Sequence, residues 1–356
     1  MKLLVVHPGA SWATHDVHVG VVEGLRANGV PVSEFRLDTR INRTHDFLHY
    51  LWRRARRTAP EKAWPKPSPM DVLFQASTGL VERALEKGCT DVLVISAMFV
   101  MPDRLELARR AGLRVWLLCT ETPYAMAEEL RLAGLVDGVW THERAALEAF
   151  RGVNARVGYL PHAWRDGVHN APGDASDGPS CDVLFCGSLF KERIEWLEAV
   201  DWSGIDLAIY GTPEMLPARS PLRAFVRGGL TPNAELVRLA RGAKVALNFF
   251  RAPENGHPAE SINPRLYEMA AAGVCSVSDP RAEVAEKFGG SVQTFTSPAE
   301  AGALIRALLA APELRASCAA HAAAAVAGDS WTARARQMVS DLRTWRTTPH
   351  NQQRSA

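Results

Sequence analysis

The chain has 356 residues, 47% of them hydrophobic, and a formal net charge of +2. That length exceeds what one core organises, so two domains of ordinary size are expected; the near-neutral charge excludes a global field for nucleic acid or membranes, and any polyanion site must be local. The six cysteines are scattered with no C-x2-C pair, and neither an 18-residue apolar span nor a signal-type apolar segment is present, which predicts reduced structural thiols, no membrane span and a cytoplasmic protein.

Residues 2 to 6, KLLVV, read as a strand, followed by the loop HPGASWATHD, an amphipathic helix from Val17 to Asn28 closed at Gly29, and a second strand from Val30 to Leu37. This βαβ opening has a glycine-bearing first loop, where such folds approach ligands, but G-x-G-x-x-G is absent and a dehydrogenase is disfavoured. His15, Asp16 and His18 lie at the end of that loop. Asp16 reads either as a helix cap or as a functional carboxylate. His15 and His18 have no Cys, Asp or Glu constellation to complete a metal site.

Residues 36 to 66 hold nine Lys and Arg (Arg36, Arg40, Arg43, Arg53, Arg54, Arg56, Arg57, Lys62, Lys66) against three acids, with Trp52 and Trp64 interleaved. This +6 stretch reads as a solvated helix and proline-rich loop, or as the binding arm for an anionic acceptor such as nucleic acid. From Met70 the pattern becomes regular: a helix over 70 to 87, a strand over 91 to 96, a helix over 102 to 111 and a strand over 114 to 118. The loop CTETPY follows, with Glu121 its only charge, then a strand over 136 to 140, a helix from Thr141 and a strand over 155 to 160. Such alternation predicts a parallel sheet. Residues 160 to 180 lose hydrophobic periodicity and read as a linker.

The run CDVLFCGSLFKERIEWLEAV, residues 181 to 200, restarts the pattern as a strand, a tight Gly187-Ser188 turn and a helix. Backbone N–H groups at such a turn suit a diphosphate, with Lys191 or Arg193 to neutralise it; the alternative is ordinary surface charge on an amphipathic helix. A strand over 206 to 211, an irregular proline-bearing stretch and a Thr231-Pro232 cap lead to ALNFF. In ESINPRLYEMAAAG a helix opens at Pro264 and closes at Gly273, ahead of a strand over 274 to 277, and seven residues separate Glu260 from Glu268. A carboxylate beside such a helix start suits ribose hydroxyls; the alternative is a solvated helix residue. Ser297 and Glu300 read as a capping box, and alanine-rich helices occupy 299 to 327 and 331 to 346.

Together LPHAW, DVLFCGS, ALNFF and RLYEMAAAG resemble the CgeB-like, spore-maturation group of GT-B glycosyltransferases, over about residues 120 to 345 and more loosely 1 to 40. The resemblance implies an α/β chain of two Rossmann-like doubly wound domains facing a central cleft. Residues 1–160 would be the acceptor-side domain, with helix 331–346 packing back onto it, 161–180 the linker and 181–330 the nucleotide-sugar-binding domain. It implies transfer from a nucleotide-diphosphate sugar, a UDP-sugar, to an acceptor hydroxyl, with no further cofactor.

Glu268 matches the ribose-binding glutamate of that group. Glu260 takes the donor-sugar position, although Ser-Ile-Asn-Pro follows it where the wider retaining family has a glycine-rich turn. Gly187, Ser188, Lys191, Arg193 and Arg265 are the diphosphate candidates, and His15, Asp16 and His162, the last in the Leu-Pro-His element, the catalytic ones. D-x-D is absent, so no essential metal is expected. Transfer to modified DNA bases or another polyanion, a sugar-nucleotide epimerase and a non-catalytic nucleotide-sugar binder stay open.

Overall fold

The computed structural model describes residues 1–9, 14–62, 64–173, 180–253 and 256–347. The chain divides into two compact units, Met1–Leu160 with the residues from Ala335 on, and Pro161–Arg334.

In the first unit the elements are β1 (Leu3–Val6), α1 (His15–Ala27), β2 (Val32–Phe35), α2 (Leu37–Thr58), α3 (Pro69–Ser77), α4 (Leu80–Glu86), β3 (Asp91–Ile95), α5 (Pro102–Arg110), β4 (Arg114–Cys119), α6 (Met126–Ala133), β5 (Gly138–Thr141), α7 (Leu147–Arg151) and β6 (Val157–Tyr159). The strands form one parallel sheet in the order β2-β1-β3-β4-β5-β6. β1, β3 and most of β4 are buried, as their unbroken apolar runs require of strands covered on both faces. The helix expected over 70 to 87 is two helices. Gly79 has φ +84°, a left-handed value that glycine adopts without penalty, and it breaks the run between α3 and α4. The helix expected from Thr141 is a 3-10 turn at Arg144–Ala146 followed by the five-residue α7.

The second unit holds β7 (Cys181–Gly187), α8 (Lys191–Ala199), β8 (Leu207–Gly211), β9 (Val226–Gly228), α9 (Asn233–Arg241), β10 (Ala243–Asn248), α10 (Pro264–Ala271), β11 (Ser276–Ser278), α11 (Ala282–Phe288), β12 (Gln293–Thr294), α12 (Pro298–Ala310) and α13 (Pro312–Ala325). Its parallel sheet runs β12-β11-β10-β7-β8-β9. The short β9 adds an edge that no apolar run announces. The N-cap position of α9 falls on Pro232, which offers no capping side chain, rather than on Thr231, whose hydroxyl donates to the Gly229 carbonyl. Ser297 caps α12 by accepting from Glu300 N, but the Glu300 carboxylate turns back to Thr296 instead of closing a capping box. A complete box stands at Ser68 and Asp71 of α3.

The final helix, α14 (Trp331–Thr347), gives its residues from Ala335 on to the first unit. Trp345 stacks on Trp140 and Trp116 at ring-centroid distances of 4.7 and 5.8 Å, while Trp140 Nε1 donates to Asp341 and Arg346 pairs with the fully buried Asp91. The stretch expected as a linker is anchored by the buried His162, Ala163, Trp164 and His169, and residues 174–179 lie outside the described residues. Trp164 is buried; its indole donates to the Val326 carbonyl and its backbone bridges to Asp329 and Trp331. Its polar composition concealed that one anchoring ring.

Candidate functional site

In each sheet the strand order reverses beside the first strand of the unit: β2 and β3 flank β1, and in the second sheet β8 and β9 lie on one side of β7 while β10 to β12 lie on the other; ligands of open α/β sheets gather outside the carboxyl ends of strands at such a point. In the second unit the reversal lies between β7 and β10. Here Gly187 ends β7 opposite Gly211 of β8, and a Cβ on Gly211 would stand 1.9 Å from the Gly187 carbonyl oxygen, so only glycine allows this approach. Thr212 Oγ1 accepts from Leu189 N at 2.8 Å and fixes the turn through Ser188.

At the end of β10, Asn248 donates to Ser278 Oγ at 2.8 Å and accepts from Asn263 Nδ2 at 2.9 Å. Asn263 is the N-cap of α10 and accepts from Leu266 N, so one amide chain ties the start of α10 to two strand ends. One turn into α10, Glu268 is buried, with Arg265 Nη1 donating to its Oε2 at 2.7 Å. His169 Nε2 lies 3.9 Å from its other oxygen. His169 Nδ1 accepts from Arg165 N at 2.9 Å, which places the proton of the neutral ring on Nε2, toward the carboxylate.

The other predicted cations are placed differently. Arg193 donates to the carbonyls of Ser188, at 2.9 Å, and Phe249, at 2.7 Å, so it ties the two strand-end loops together. Lys191 is 89% exposed and 3.8 Å from Glu195, the geometry of a surface pair. Two arginines without a marked motif stand at the same edge. The Arg251 guanidinium lies over the Phe190 ring at 5.0 Å, and that of Arg193 is 5.3 Å from the same ring. Arg281 donates to the carbonyls of Ala259 and Arg251.

Beside them Asp279 accepts from Phe250 N at 2.8 Å, and burial pushes its carboxyl up to about 6. Glu260 is half-buried; its carbonyl accepts from Glu283 N while the Glu283 carboxylate accepts from Ile262 N. The stems of the segment carrying Glu260 are thus held by Asp279, Arg281 and Glu283. His162 is buried at the entrance of this unit, its carbonyl 3.5 Å from Arg334 Nη2.

In the first unit the reversal lies between β1 and β3. β1 runs into His7, a buried residue absent from the sequence-derived set, whose Nδ1 accepts from Gly9 N at 3.1 Å and whose Nε2 is 3.0 Å from His15 Nδ1. The first contact puts the proton of neutral His7 on Nε2, so His7 donates and His15 Nδ1 accepts, leaving the proton of neutral His15 on its own Nε2. The His18 ring centroid is 4.6 Å from that of His7, and His18 Nε2 pairs with Glu34 at 3.2 Å. Burial, with His18 close by, lowers His7 to about 4, and burial lowers His18 too. Asp38 Oδ1 is 3.8 Å from His7 Nδ1; burial would raise this carboxyl, but the Arg36 and Thr39 hydrogen bonds outweigh it and hold it at about 2.

Asp16 sits in the first turn of α1, whose N-cap is Thr14, so the cap assignment for Asp16 fails by two residues. At the end of β3, Ser96 has φ +48° and a buried hydroxyl with no hydrogen-bond partner, strain of the kind that collects at working sites. The loop after β4 is pinned by Glu129 of α6, which accepts from Thr120 N, Glu121 N and Thr122 Oγ1. Burial raises Glu129 to about 7 against those bonds. Among the described residues no group of three or more His, Cys, Asp or Glu is placed to hold a metal ion.

The family model described as glycosyl transferase-like matches residues 193–340, from the first turn of α8 into α14. With the two parallel six-stranded sheets and their flanking helices, the fold is that of the GT-B glycosyltransferases, and the matched segment is glycosyl transferase-like. Three solved structures illustrate the likeness. Anabaena Alr3699/HepE in complex with UDP-glucose is similar over 97% of this chain and 100% of that one, with a TM-score of 0.66 and 13% identity. Sucrose-phosphate synthase from Thermosynechococcus elongatus covers 97% and 99%, at a TM-score of 0.62 and 14% identity. The E. coli trehalose-6-phosphate structure bound with UDP-2-fluoro glucose covers 98% and 100%, at 0.61 and 14%. At such identities the likeness is one of fold. No curated protein sequence matches the chain.

Proposed function

We propose that the chain transfers a sugar from a UDP-sugar to an acceptor hydroxyl, as a CgeB-like member of its class. The observation that carries this is the buried Glu268 on α10, at the strand-order reversal of the unit that matches the glycosyl transferase-like model. A buried carboxylate one turn into α10 gives two ribose hydroxyls a charged acceptor, and the fold neighbours that hold UDP-glucose and UDP-2-fluoro glucose support the choice of donor.

In this reading Glu268 binds the ribose, Glu260 the donor sugar, and the Gly187-Ser188 turn with Arg251 and Arg265 the diphosphate. The anomeric C–O bond breaks as negative charge grows on the leaving diphosphate, and fixed cations and N–H groups stabilise that charge most in the transition state. At the carboxyl edge of the first sheet, His15 orients the acceptor through Nε2–H and Asp16 takes its proton as the acceptor oxygen bonds to the anomeric carbon. Cytoplasmic placement and independence of a metal belong to the same proposal.

Calorimetry with UDP, UDP-glucose and other UDP-sugars tests it, followed by donor turnover with and without added acceptors and EDTA. Saturable UDP-sugar binding that Glu268→Ala weakens is expected. A wild-type protein that binds no nucleotide sugar overturns the proposal; donor consumed without acceptor points to an epimerase.

A further inference from the structure

Helix α2 is 22 residues long, yet only Leu37 and His49 on it are buried. Its inner side follows Leu37, Ile41, Leu48 and Trp52 onto the unit. The opposite side carries Arg43, Phe47, Tyr50, Arg54 and Arg57, all exposed, at alternating four- and three-residue steps that form one straight stripe. At 1.5 Å per residue the stripe is about 21 Å long. Phe47 and Tyr50 are 59% and 58% exposed. The segment that follows also exposes large apolar side chains: Trp64 in the connection to α3, then Met70 and Phe74, four residues apart on α3, each about half exposed, with the Arg104 guanidinium over the Phe74 ring at 4.8 Å. Helix α3 is fastened to α2 by Arg40, whose guanidinium donates to the carbonyls of Ala76 and Thr78. Arg53 and Arg56 are also exposed on α2, the Arg56 guanidinium lying over the Trp52 ring at 5.4 Å.

We propose that this face of α2 and α3 docks the protein on an anionic lipid bilayer, with Phe47, Tyr50, Trp64, Met70 and Phe74 entering the headgroup boundary and the arginines meeting lipid phosphates. Two properties select that occupant. Residues 36–66 carry +6 in a chain of net +2, so the surface is complementary to negative charge. A polyanion alone would need the cations and some stacking rings, but gains nothing from methionine and phenylalanine side chains presented outward; an interfacial helix needs both. A straight stripe also meets a plane along its whole length. Among the described residues no helix is long and apolar enough to cross a membrane, so the contact is one of lying on the surface.

The test is co-sedimentation of the full chain with vesicles of phosphatidylcholine alone and with about 30% phosphatidylglycerol, at about 50 and 500 mM salt. Binding to the anionic vesicles only, weakened by salt, is expected. Phe47→Ser/Tyr50→Ser should weaken it about tenfold or more, and Arg54→Ser/Arg57→Ser comparably, with unchanged circular dichroism because all four side chains face solvent. Absence of binding to anionic vesicles overturns the proposal. So does vesicle binding that the aromatic pair leaves unchanged and a single-stranded oligonucleotide displaces, which would make this a polyanion surface. Neither outcome depends on donor binding.

Discussion

Arg265 and Glu268 stand one turn apart on α10 and pair with each other, Nη1 to Oε2 at 2.7 Å, with the carboxylate buried and the guanidinium still part-exposed. The asymmetry has a consequence for stability. Arg265→Ala leaves a buried carboxylate short of its donor, at about 1–3 kcal/mol, whereas Glu268→Gln leaves a part-exposed guanidinium that water already solvates. Urea denaturation should find Arg265→Ala the less stable variant. Equal midpoints would mean that the pair carries no net burial cost.

The donor gives a second test of the pair. Glu268→Gln removes the charge from the proposed ribose acceptor and should cost about 1.5–3 kcal/mol of UDP-sugar affinity, read by calorimetry. Unchanged affinity in a folded variant would remove Glu268 from the site.

Arg193 and Lys191 separate two roles that sequence reasoning merged. Both open α8 after the Gly187-Ser188 turn, but Arg193 holds the Ser188 and Phe249 carbonyls while Lys191 points to water beside Glu195. Arg193→Lys cannot reach both carbonyls as a fork and should lower donor affinity and melting temperature together. Lys191→Ala should keep turnover within about twofold of wild type, as an exposed pair contributes little. A tenfold loss on Lys191→Ala, measured at saturating donor, would restore it to the diphosphate site.

Much of this was legible from periodicity: the strands that end at His7, Gly187 and Asn248 are apolar runs, and RLYEMAAAG marks α10. Pairing was not legible. Nothing in the spacing of Asn248, Asn263 and Ser278 shows that three short polar side chains meet across 30 residues, since tertiary hydrogen bonds between loops have no period. His169 lay in a stretch read as linker, and Arg251 and Arg281 in loops without a motif. His7 carried one signal, a histidine directly after a buried strand at the first βα loop, that could have joined it to His15. The strain at Ser96 carried none, because serine is ordinary at a strand end.

Glu129 predicts a pH dependence. Unfolded, it ionises near its ordinary 4.5; folded, near 7, because burial resists the charge. Between those values the folded chain holds a proton that the unfolded chain has lost, so rising pH works against folding. Glu129→Gln removes that dependence while keeping an acceptor for Thr120 N and Glu121 N. The stability of Glu129→Gln relative to wild type should rise by up to about 3 kcal/mol from pH 4.5 to 7. His7, depressed to about 4, acts in the opposite sense below its ordinary 6.5, but it is common to both proteins and cancels. A difference constant with pH would mean that Glu129 is already ionised at pH 5.

The His7–His15 contact predicts which substitutions at position 7 are tolerated. His7 Nδ1 accepts from Gly9 N and its Nε2 donates to His15 Nδ1, so the ring passes one fixed orientation from the backbone of the first loop to His15. The side-chain nitrogen of glutamine can occupy the Nε2 place and keep the donation; asparagine reaches only the Nδ1 place and loses it. His7→Gln should therefore retain more transfer activity than His7→Asn, with UDP-sugar affinity unchanged in both because the proposed donor residues belong to the other unit. His15→Ala should lose about 10²–10⁴ in turnover if it orients the acceptor for proton loss. Asp16→Asn should lose turnover on the same scale, since Thr14 rather than Asp16 occupies the N-cap and removing this carboxylate costs the helix only a few tenths of a kcal/mol. Because His7 protonates only near pH 4, it supplies no acid limb to the turnover profile above about pH 5, and His7→Gln should leave the shape of that profile unchanged. Equal activity of the glutamine and asparagine variants would show that His15 needs no partner. Full activity of Asp16→Asn would move the proton acceptor to another group at this edge, for which Glu121, in the loop that Glu129 pins, is the nearest chemical equivalent.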